Sequence, residues 1–87
     1  MSQRINMEQI ICFLKGEIST ATNSEPNSID EKINFMKFGI SSMQTIMILN
    51  KVKKKFEIEV NPFAMFEYKN INELSHYLYG QIQVDKW

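Results

Sequence analysis

The chain has 87 residues, with ten lysines or arginines balanced by ten aspartates or glutamates, so its formal net charge is zero. This length predicts one domain with one small core, and the absence of a basic excess argues against a nucleic-acid binder. No apolar run approaches the ~20 residues of a membrane span, and the first residues lack the apolar stretch of a signal peptide. Because Cys12 has no second cysteine to pair with, we expect a cytoplasmic domain without disulfides.

The first predicted element is a helix near residues 6–20, opened by Asn6 and Gln9 as a capping pair. Its apolar residues recur at helical spacing: Met7, Ile10, Ile11, Leu14 and Ile18. The polar segment 20–28 contains Pro26 and predicts a long loop. Four apolar residues lie in the rest of that loop and should anchor it to the core: Ile29, Ile33, Phe35 and Phe38. A loop of this length in so small a domain is often functional.

A second helix is predicted from about Ser42 to Phe56, with Ser41 and Gln44 in the S-x-x-Q form of a capping box. One apolar stripe should face the core: Thr45, Ile48, Leu49, Val52 and Phe56. A second stripe is rotated away from the first: Met43, Ile46, Met47 and Asn50. Either both stripes are buried, or the domain dimerises, or the second stripe is an adaptable docking surface. We favour docking.

Basic residues dominate the end of the second helix: Lys51, Lys53, Lys54 and Lys55. They are most simply a solvated helix end, which the helix dipole favours. A docking patch made of these lysines is the alternative interpretation.

The pair Asn61-Pro62 predicts a short third helix over about 62–67, because asparagine caps helices and proline suits the first helical position. This helix would present Phe63 and Phe66, and Phe66 is expected to join one core with Phe35, Leu49, Phe56 and Leu74. Only residues 56–60 alternate in the manner of a strand, and that segment is short.

A fourth helix is predicted near 71–79, with Asn70 and Glu73 as its capping pair and Gly80 as its stop. Its core residues should be Ile71, Leu74, Tyr77 and Leu78. The predicted fold class is therefore all-α: a four-helix bundle with a long loop between helices 1 and 2 and a short third helix. The single domain would have its core at about residues 6–79 and a tail at 80–87.

The sequence offers no catalytic or metal-binding constellation. His76 has no partner at metal or triad spacing and should lie at the surface. Cys12 is expected to be a small buried or half-buried apolar residue rather than a reactive thiol. No clustered acids and no phosphate-binding glycine loop occur, so nothing supports an enzyme or a metal site.

Across about fifty residues, Ile29 to Leu78, the chain resembles acyl and peptidyl carrier proteins. The resemblance rests on Phe38-Gly39-Ile40-Ser41-Ser42-Met43 and on three downstream features. These are the segment Lys53 to Ile58, the pair Phe66-Glu67, and the residues Ile71 and Leu74. The family pattern is an apolar residue, glycine, any residue, aspartate, serine and leucine or isoleucine, followed by a helix.

The resemblance implies that Ser42 carries a covalent phosphopantetheine arm derived from coenzyme A, whose thiol holds an acyl or aminoacyl group. The implied partners are a phosphopantetheinyl transferase and biosynthetic enzymes such as an acyltransferase or ketosynthase, with no nucleic acid and no membrane. The carrier itself would be monomeric and non-catalytic. Without the resemblance, Ser42 would be an ordinary serine at a helix start.

One residue departs from the family pattern. Ser41 stands where the family usually has aspartate; it can cap the helix but offers no charge to the loading enzyme. Serine or asparagine at this place is associated with polyketide-type carriers. We therefore expect a carrier of polyketide or mixed polyketide–nonribosomal peptide biosynthesis, either free-standing or part of a longer protein.

Two alternatives stay open. A fatty-acid-synthesis carrier is disfavoured, because those carriers are strongly acidic and their second helix is acidic, whereas this helix is basic. The alternative from another class is a small helical adaptor or DNA-binding bundle that uses the lysine-rich helix end. Zero net charge speaks against DNA.

Overall fold

The computed structural model describes residues 5–85, with side chains described through residue 82. This part of the chain contains α-helices, two short 3₁₀ turns at Pro26–Ser28 and Phe35–Phe38, and no strand. The helices are α1 (Met7–Thr22), α2 (Ser42–Phe56), α3 (Ala64–Glu67) and α4 (Ile71–Asp85). The predicted all-α class, with a long first loop and a short third helix, is confirmed.

Helix α1 begins where the sequence predicts, because a complete capping box holds its first turn. Asn6 Oδ1 accepts from the backbone N–H of Gln9 at 2.9 Å, and Gln9 Oε1 accepts from the backbone N–H of Asn6 at 2.9 Å. The helix continues two residues past its predicted end. It stops at Asn23, whose left-handed φ of 56° reverses the chain.

The core lies where α1, α2 and α4 meet, and the most extensive contact between helices is that of α1 with α4. The predicted inner stripe of α2 is buried along its whole length. Side chains from α1 and α4 complete this core: Ile10, Leu14, Ile18, Ile71, Leu74 and Leu78. Tyr77, which the helical spacing places among them, is only half-buried.

The long loop between α1 and α2 is tied to the other end of the chain. Phe35 is fully buried, and its backbone N–H donates to the carbonyl oxygen of Lys69 at 2.8 Å. The backbone N–H of Asn72 donates to the carbonyl oxygen of Glu31 at 3.0 Å. Ile29 is also buried, so the loop is anchored at several points and delivers a fixed backbone to the start of α2.

Helix α3 differs from its prediction. It begins at Ala64 rather than near Pro62, and Asn61 caps no helix: its Oδ1 accepts from the backbone N–H of Phe63 within a turn. Phe63 and Phe66 are 57% and 38% exposed, so the prediction that Phe66 belongs to the core is wrong. The helix has a single turn and therefore no apolar period that could reveal its buried side.

Two further predictions are wrong: the end of the fourth helix and the burial of Cys12 on the first. Helix α4 does not stop at Gly80 but continues to Asp85, and Ile82 within the expected tail is buried. The burial of Ile82 offsets the cost of about 1 kcal/mol that a glycine inside a helix carries. Cys12 is exposed on α1 instead of buried.

The segment that joins α2 to α3 explains the alternating pattern at residues 56–60. Phe56, Ile58 and Val60 are buried, whereas Glu57 and Glu59 are exposed. The alternation is thus that of an extended connection lying against the core. No helix within residues 5–85 is long and apolar enough to cross a membrane.

Candidate functional site

The turn that leads into α2 sets the direction of the helix. Gly39 has a φ of 83°, a left-handed conformation that costs an L-residue with a side chain about 1–2 kcal/mol. The next residue, Ile40, is buried and fixes the turn to the core. Ser41 then adopts the extended conformation of an N-cap. The backbone is therefore held on both sides of the serine pair.

Ser41 is the residue that caps α2, as predicted. Its Oγ accepts from the backbone N–H of Gln44 at 3.2 Å, and Gln44 Oε1 accepts from the backbone N–H of Ser41 at 2.9 Å. The amide of Gln44 also reaches α1, where Nε2 donates to the carbonyl oxygen of Ala21 at 3.4 Å. This tertiary contact between helices could not be read from the sequence, because the capping pattern specifies only the local bonds.

Ser42 is the first residue of α2 and is exposed. Its hydroxyl makes no hydrogen bond with any residue that the structure describes, since the capping bonds use Ser41. The cap also occupies the N–H groups of Gln44 and Thr45. Those of Ser42 and Met43 remain open at the positive end of the helix dipole, where an anionic group is favoured.

The charges on α2 are distributed unevenly. No acidic residue lies in its first turn, while its last turn holds Lys53, Lys54 and Lys55. Lys51 is partly neutralised by Glu17 of α1, with Nζ and Oε1 3.1 Å apart. The surface around Ser42 is therefore uncharged on α2, and the basic residues begin more than two turns away.

Two methionines flank Ser42 on the exposed side of α2. Met43 is 66% exposed and Met47 is 53% exposed, so the second stripe predicted from the sequence is not buried within the described chain. Asn50 is exposed as well, and Ile46 is half-buried. The structure thus brings Ser42, Met43 and Met47 onto one accessible surface.

The other reactive side chains lie apart from this surface. His76 is exposed on α4, with Nδ1 2.7 Å from the carbonyl oxygen of Asn72. Among residues 5–85, no three histidine, cysteine, aspartate or glutamate side chains are grouped as metal ligands.

An exposed serine hydroxyl with two open N–H groups beside it fits a phosphodiester-linked group. Residues 12–78 match the family described as PP-binding, the phosphopantetheine attachment site. The chain belongs to this family. Membership implies a covalently attached phosphopantetheine prosthetic group, which agrees with the resemblance found in the sequence.

Two solved structures share the fold of this phosphopantetheine-binding domain. One is the solution structure of the HMG-ACPI domain from the CurA module of Lyngbya majuscula, with a TM-score of 0.82 and 19% identity. The match covers 100% of this chain and 91% of that chain. The other is the crystal structure of a free-standing peptidyl carrier protein from an uncharacterized secondary metabolic pathway of Acinetobacter baumannii. Its TM-score is 0.83 at 19% identity, with 88% of this chain and 96% of that chain covered.

The chain is therefore a phosphopantetheine-binding carrier domain that shares its fold with the HMG-ACPI domain and with the free-standing peptidyl carrier protein. Domains of this type work with phosphopantetheinyl transferases and with biosynthetic enzymes. At 19% identity the two structures establish the fold alone.

Proposed function

We propose that Ser42 is the attachment site of phosphopantetheine. The observation that carries this proposal is that two adjacent serines have different roles in the structure. Ser41 Oγ is engaged as the helix cap, whereas Ser42 Oγ is exposed and free of hydrogen bonds to the described residues. Of the two, only Ser42 presents a hydroxyl that a loading enzyme can reach without breaking the capping box.

Loading at this site requires Ser42 to act as a nucleophile. Its Oγ attacks the phosphorus atom that bears the pantetheine in coenzyme A. The new Oγ–P bond replaces the anhydride bond, the nucleotide half of coenzyme A leaves, and the hydroxyl proton passes to a base of the transferase. The open N–H groups of Ser42 and Met43, at the positive end of the helix dipole, would stabilise the negative charge of the attached phosphate.

The domain serves as a cytoplasmic carrier in polyketide or mixed polyketide–nonribosomal peptide biosynthesis. When attached, the arm supplies a terminal thiol that holds an acyl or aminoacyl group as a thioester. The protein's own contribution is to hold the attachment point rigidly and to raise the effective concentration of the cargo at its partner enzymes. The pathway class is supported by the two carriers of similar fold, one the HMG-ACPI domain of the CurA module and the other a peptidyl carrier protein from a secondary metabolic pathway.

Partner enzymes dock on the exposed side of α2 around Ser42. The proposed contacts are Met43, Ile46, Met47 and Asn50. Methionine is flexible and polarizable, so one surface of this kind can adapt to several partners in turn. The two methionines are exposed large apolar side chains on the same helix as the attachment point.

The decisive experiment is intact-mass measurement after incubation with coenzyme A and a phosphopantetheinyl transferase. The wild type should gain the mass of one phosphopantetheine, and Ser42→Ala should gain none while keeping the helical circular dichroism of the wild type. Ser41→Ala is the matched control: it loses the cap, at a cost of about 1 kcal/mol, yet should still be loaded. Mass gained by Ser42→Ala, or lost only in Ser41→Ala, would reject Ser42.

A further inference from the structure

The methionines of the described chain differ widely in their contact with water. Met43 and Met47 of α2 are mostly exposed, and Met36, in the 3₁₀ turn before that helix, is 44% exposed. Met7 is half-buried, and Met65 of α3 is only 2% exposed. The sulfur atoms of the exposed methionines are therefore open to a small oxidant in solution, whereas that of Met65 is covered by the core.

Met43 and Met47 can be altered chemically without altering the core. They lie four residues apart, so their side chains are neighbours on one side of α2. Neither belongs to the hydrophobic core. A polar atom added to either sulfur would face water, whereas the same atom on Met65 would be taken out of water at a cost to the fold. Modification of the two exposed methionines thus changes the surface beside Ser42 and spares the packing.

The reaction of a thioether with a peroxide gives the sulfoxide. A lone pair of the methionine sulfur attacks one oxygen of hydrogen peroxide, and the O–O bond breaks as the S–O bond forms. The proton on the transferred oxygen passes to the departing hydroxide, which leaves as water. The sulfur loses two electrons and the peroxide gains them. A sulfoxide reductase restores the thioether, with two thiols oxidised to a disulfide and the oxygen released as water.

We propose that Met43 and Met47 are a reversible oxidation site through which peroxide controls the access of partner enzymes to Ser42. This inference rests on the proposed docking of partners on α2 around that serine. As thioethers, the two side chains offer an adaptable apolar surface. As sulfoxides they are polar, and a docking partner must take their oxygens out of water. The oxidised carrier stays folded but is loaded slowly, and a sulfoxide reductase returns it to use.

The test oxidises the protein before it carries the arm. Hydrogen peroxide is added, catalase then removes it, and the initial rate of loading from coenzyme A is measured, so the thiol of the arm never meets the oxidant. Every protein carries Cys12→Ser, since Cys12 is exposed and its thiol would also be oxidised. Peptide mass mapping should find the added oxygen at Met43 and Met47 before Met65.

Oxidation at the two methionines should slow loading without unfolding the domain. We expect the rate to fall about tenfold, the factor that follows when part of the burial of a methionine side chain at an interface is lost. Helical circular dichroism should be the same before and after peroxide. Treatment with a sulfoxide reductase and a dithiol should restore the rate of loading.

Leucine variants identify the methionines that are responsible. Each protein is compared with its own rate before peroxide, so any effect of leucine on docking cancels. The double variant Met43→Leu with Met47→Leu keeps an apolar surface of similar volume that forms no sulfoxide, so peroxide should not change its rate. Met36→Leu is the matched control: it removes an exposed methionine outside α2 and should stay as sensitive as its parent.

The same assay separates the possible failures. Sulfoxides at Met43 and Met47 with no loss of rate overturn the switch and leave attachment at Ser42 standing; slower loading of Met47→Glu would then keep the docking surface as well. An equal loss of rate in the double leucine variant, or a loss of circular dichroism on oxidation, assigns the effect to other residues or to unfolding and also overturns the proposal. If the protein gains no mass before oxidation, attachment at Ser42 fails and this inference fails with it.

Discussion

The side chain of Ser41 stabilises the start of α2 but offers no charge to a loading enzyme. Its hydroxyl closes the capping box, which a carboxylate could close equally well. We expect Ser41→Asp to raise the free energy of unfolding by about 0.3–1 kcal/mol, because a negative charge at a helix N-terminus interacts favourably with the dipole. We also expect faster loading by transferases that recognise an acidic residue before the modified serine.

Both effects of Ser41→Asp can be measured separately, by urea unfolding and by the initial rate of mass gain. Asn27→Asp adds the same charge at an exposed position in the first loop and is the control. Equal effects of the two substitutions would show that charge alone, and not its place at the helix start, is responsible.

Gly39 is the residue in the approach to α2 whose conformation requires glycine. Its φ is 83°, and the place that a Cβ would take has no atom within 4 Å beyond the adjoining residues. Replacement by alanine is therefore penalised by backbone conformation and not by collision, and Gly39→Ala should lower the free energy of unfolding by about 1–2 kcal/mol. Gly80→Ala should raise it by about 0.5–1 kcal/mol, because Gly80 lies inside α4 and also has open space around it.

Thermal unfolding of the two glycine variants provides an internal comparison, since each adds one methyl group to a spacious site. Changes of the same sign in both would contradict the conformational argument. The loading of Gly39→Ala should also be slower, because the turn no longer holds Ser42 as firmly.

Helix α2 is anchored to the core by the aromatic residue at its C-terminal end. Phe56 is buried, and its ring meets that of Phe13 on α1 edge to face, with centroids 5.5 Å apart. Phe56→Ala should cost about 3–5 kcal/mol, a large share of the stability of a domain this small. Phe66→Ala is the matched control, because Phe66 is partly exposed and its loss should cost much less. Similar midpoints for the two variants in urea would show that Phe56 does not anchor the core.

The elements that the sequence predicted best are those whose ends are coded locally. The boundaries of α2 follow from the Ser41–Gln44 box at its start and from an apolar period that holds for four turns. The exposure of Ser42 then follows from helical register. For α4, the local signal of Gly80 is overridden by the burial of Ile82, which depends on packing against distant parts of the chain.

The sequence predicts less well which side of the short α3 is buried and which residues surround the start of α2. One helical turn has no period to show that Ala64 and Met65, not Phe66, face the core. The hydrogen bond from Gln44 on α2 to Ala21 on α1 has no signal in the sequence, because it depends on how two helices separated by a long loop come together. Ser42 could be proposed as the attachment site from its sequence context, but the residues that surround it in space could not be predicted.

At the scale of the whole molecule, balanced charge and exposed methionines predict how partners bind. Apolar docking depends weakly on salt, whereas exposed charge pairs are screened over about 8 Å at physiological ionic strength. We expect acyl transfer from the native partner to change little between low and moderate salt. Met47→Glu should impair transfer without unfolding the domain, because it places a charge in the middle of the exposed apolar surface.

The control is Asn27→Glu, which adds the same charge at an exposed position in the first loop. Transfer kinetics of the wild type and both variants should be compared across a salt series. Strong salt dependence of the wild type, with no effect of Met47→Glu, would shift the docking surface to the lysines from Lys51 to Lys55.

The packing of α1 against α4 determines when the domain can fold during its synthesis. These helices lie about fifty residues apart in sequence, so the core closes only when the last helix has been synthesised. A nascent chain that ends after α2 already contains Ser42 but lacks the partners that bury Leu14 and Ile18. With attachment at Ser42 as proposed, we expect loading to follow the closure of the core. A chain truncated before α4 keeps the residues of the capping box but lacks the packed domain around them, so it should be loaded more slowly than the full chain.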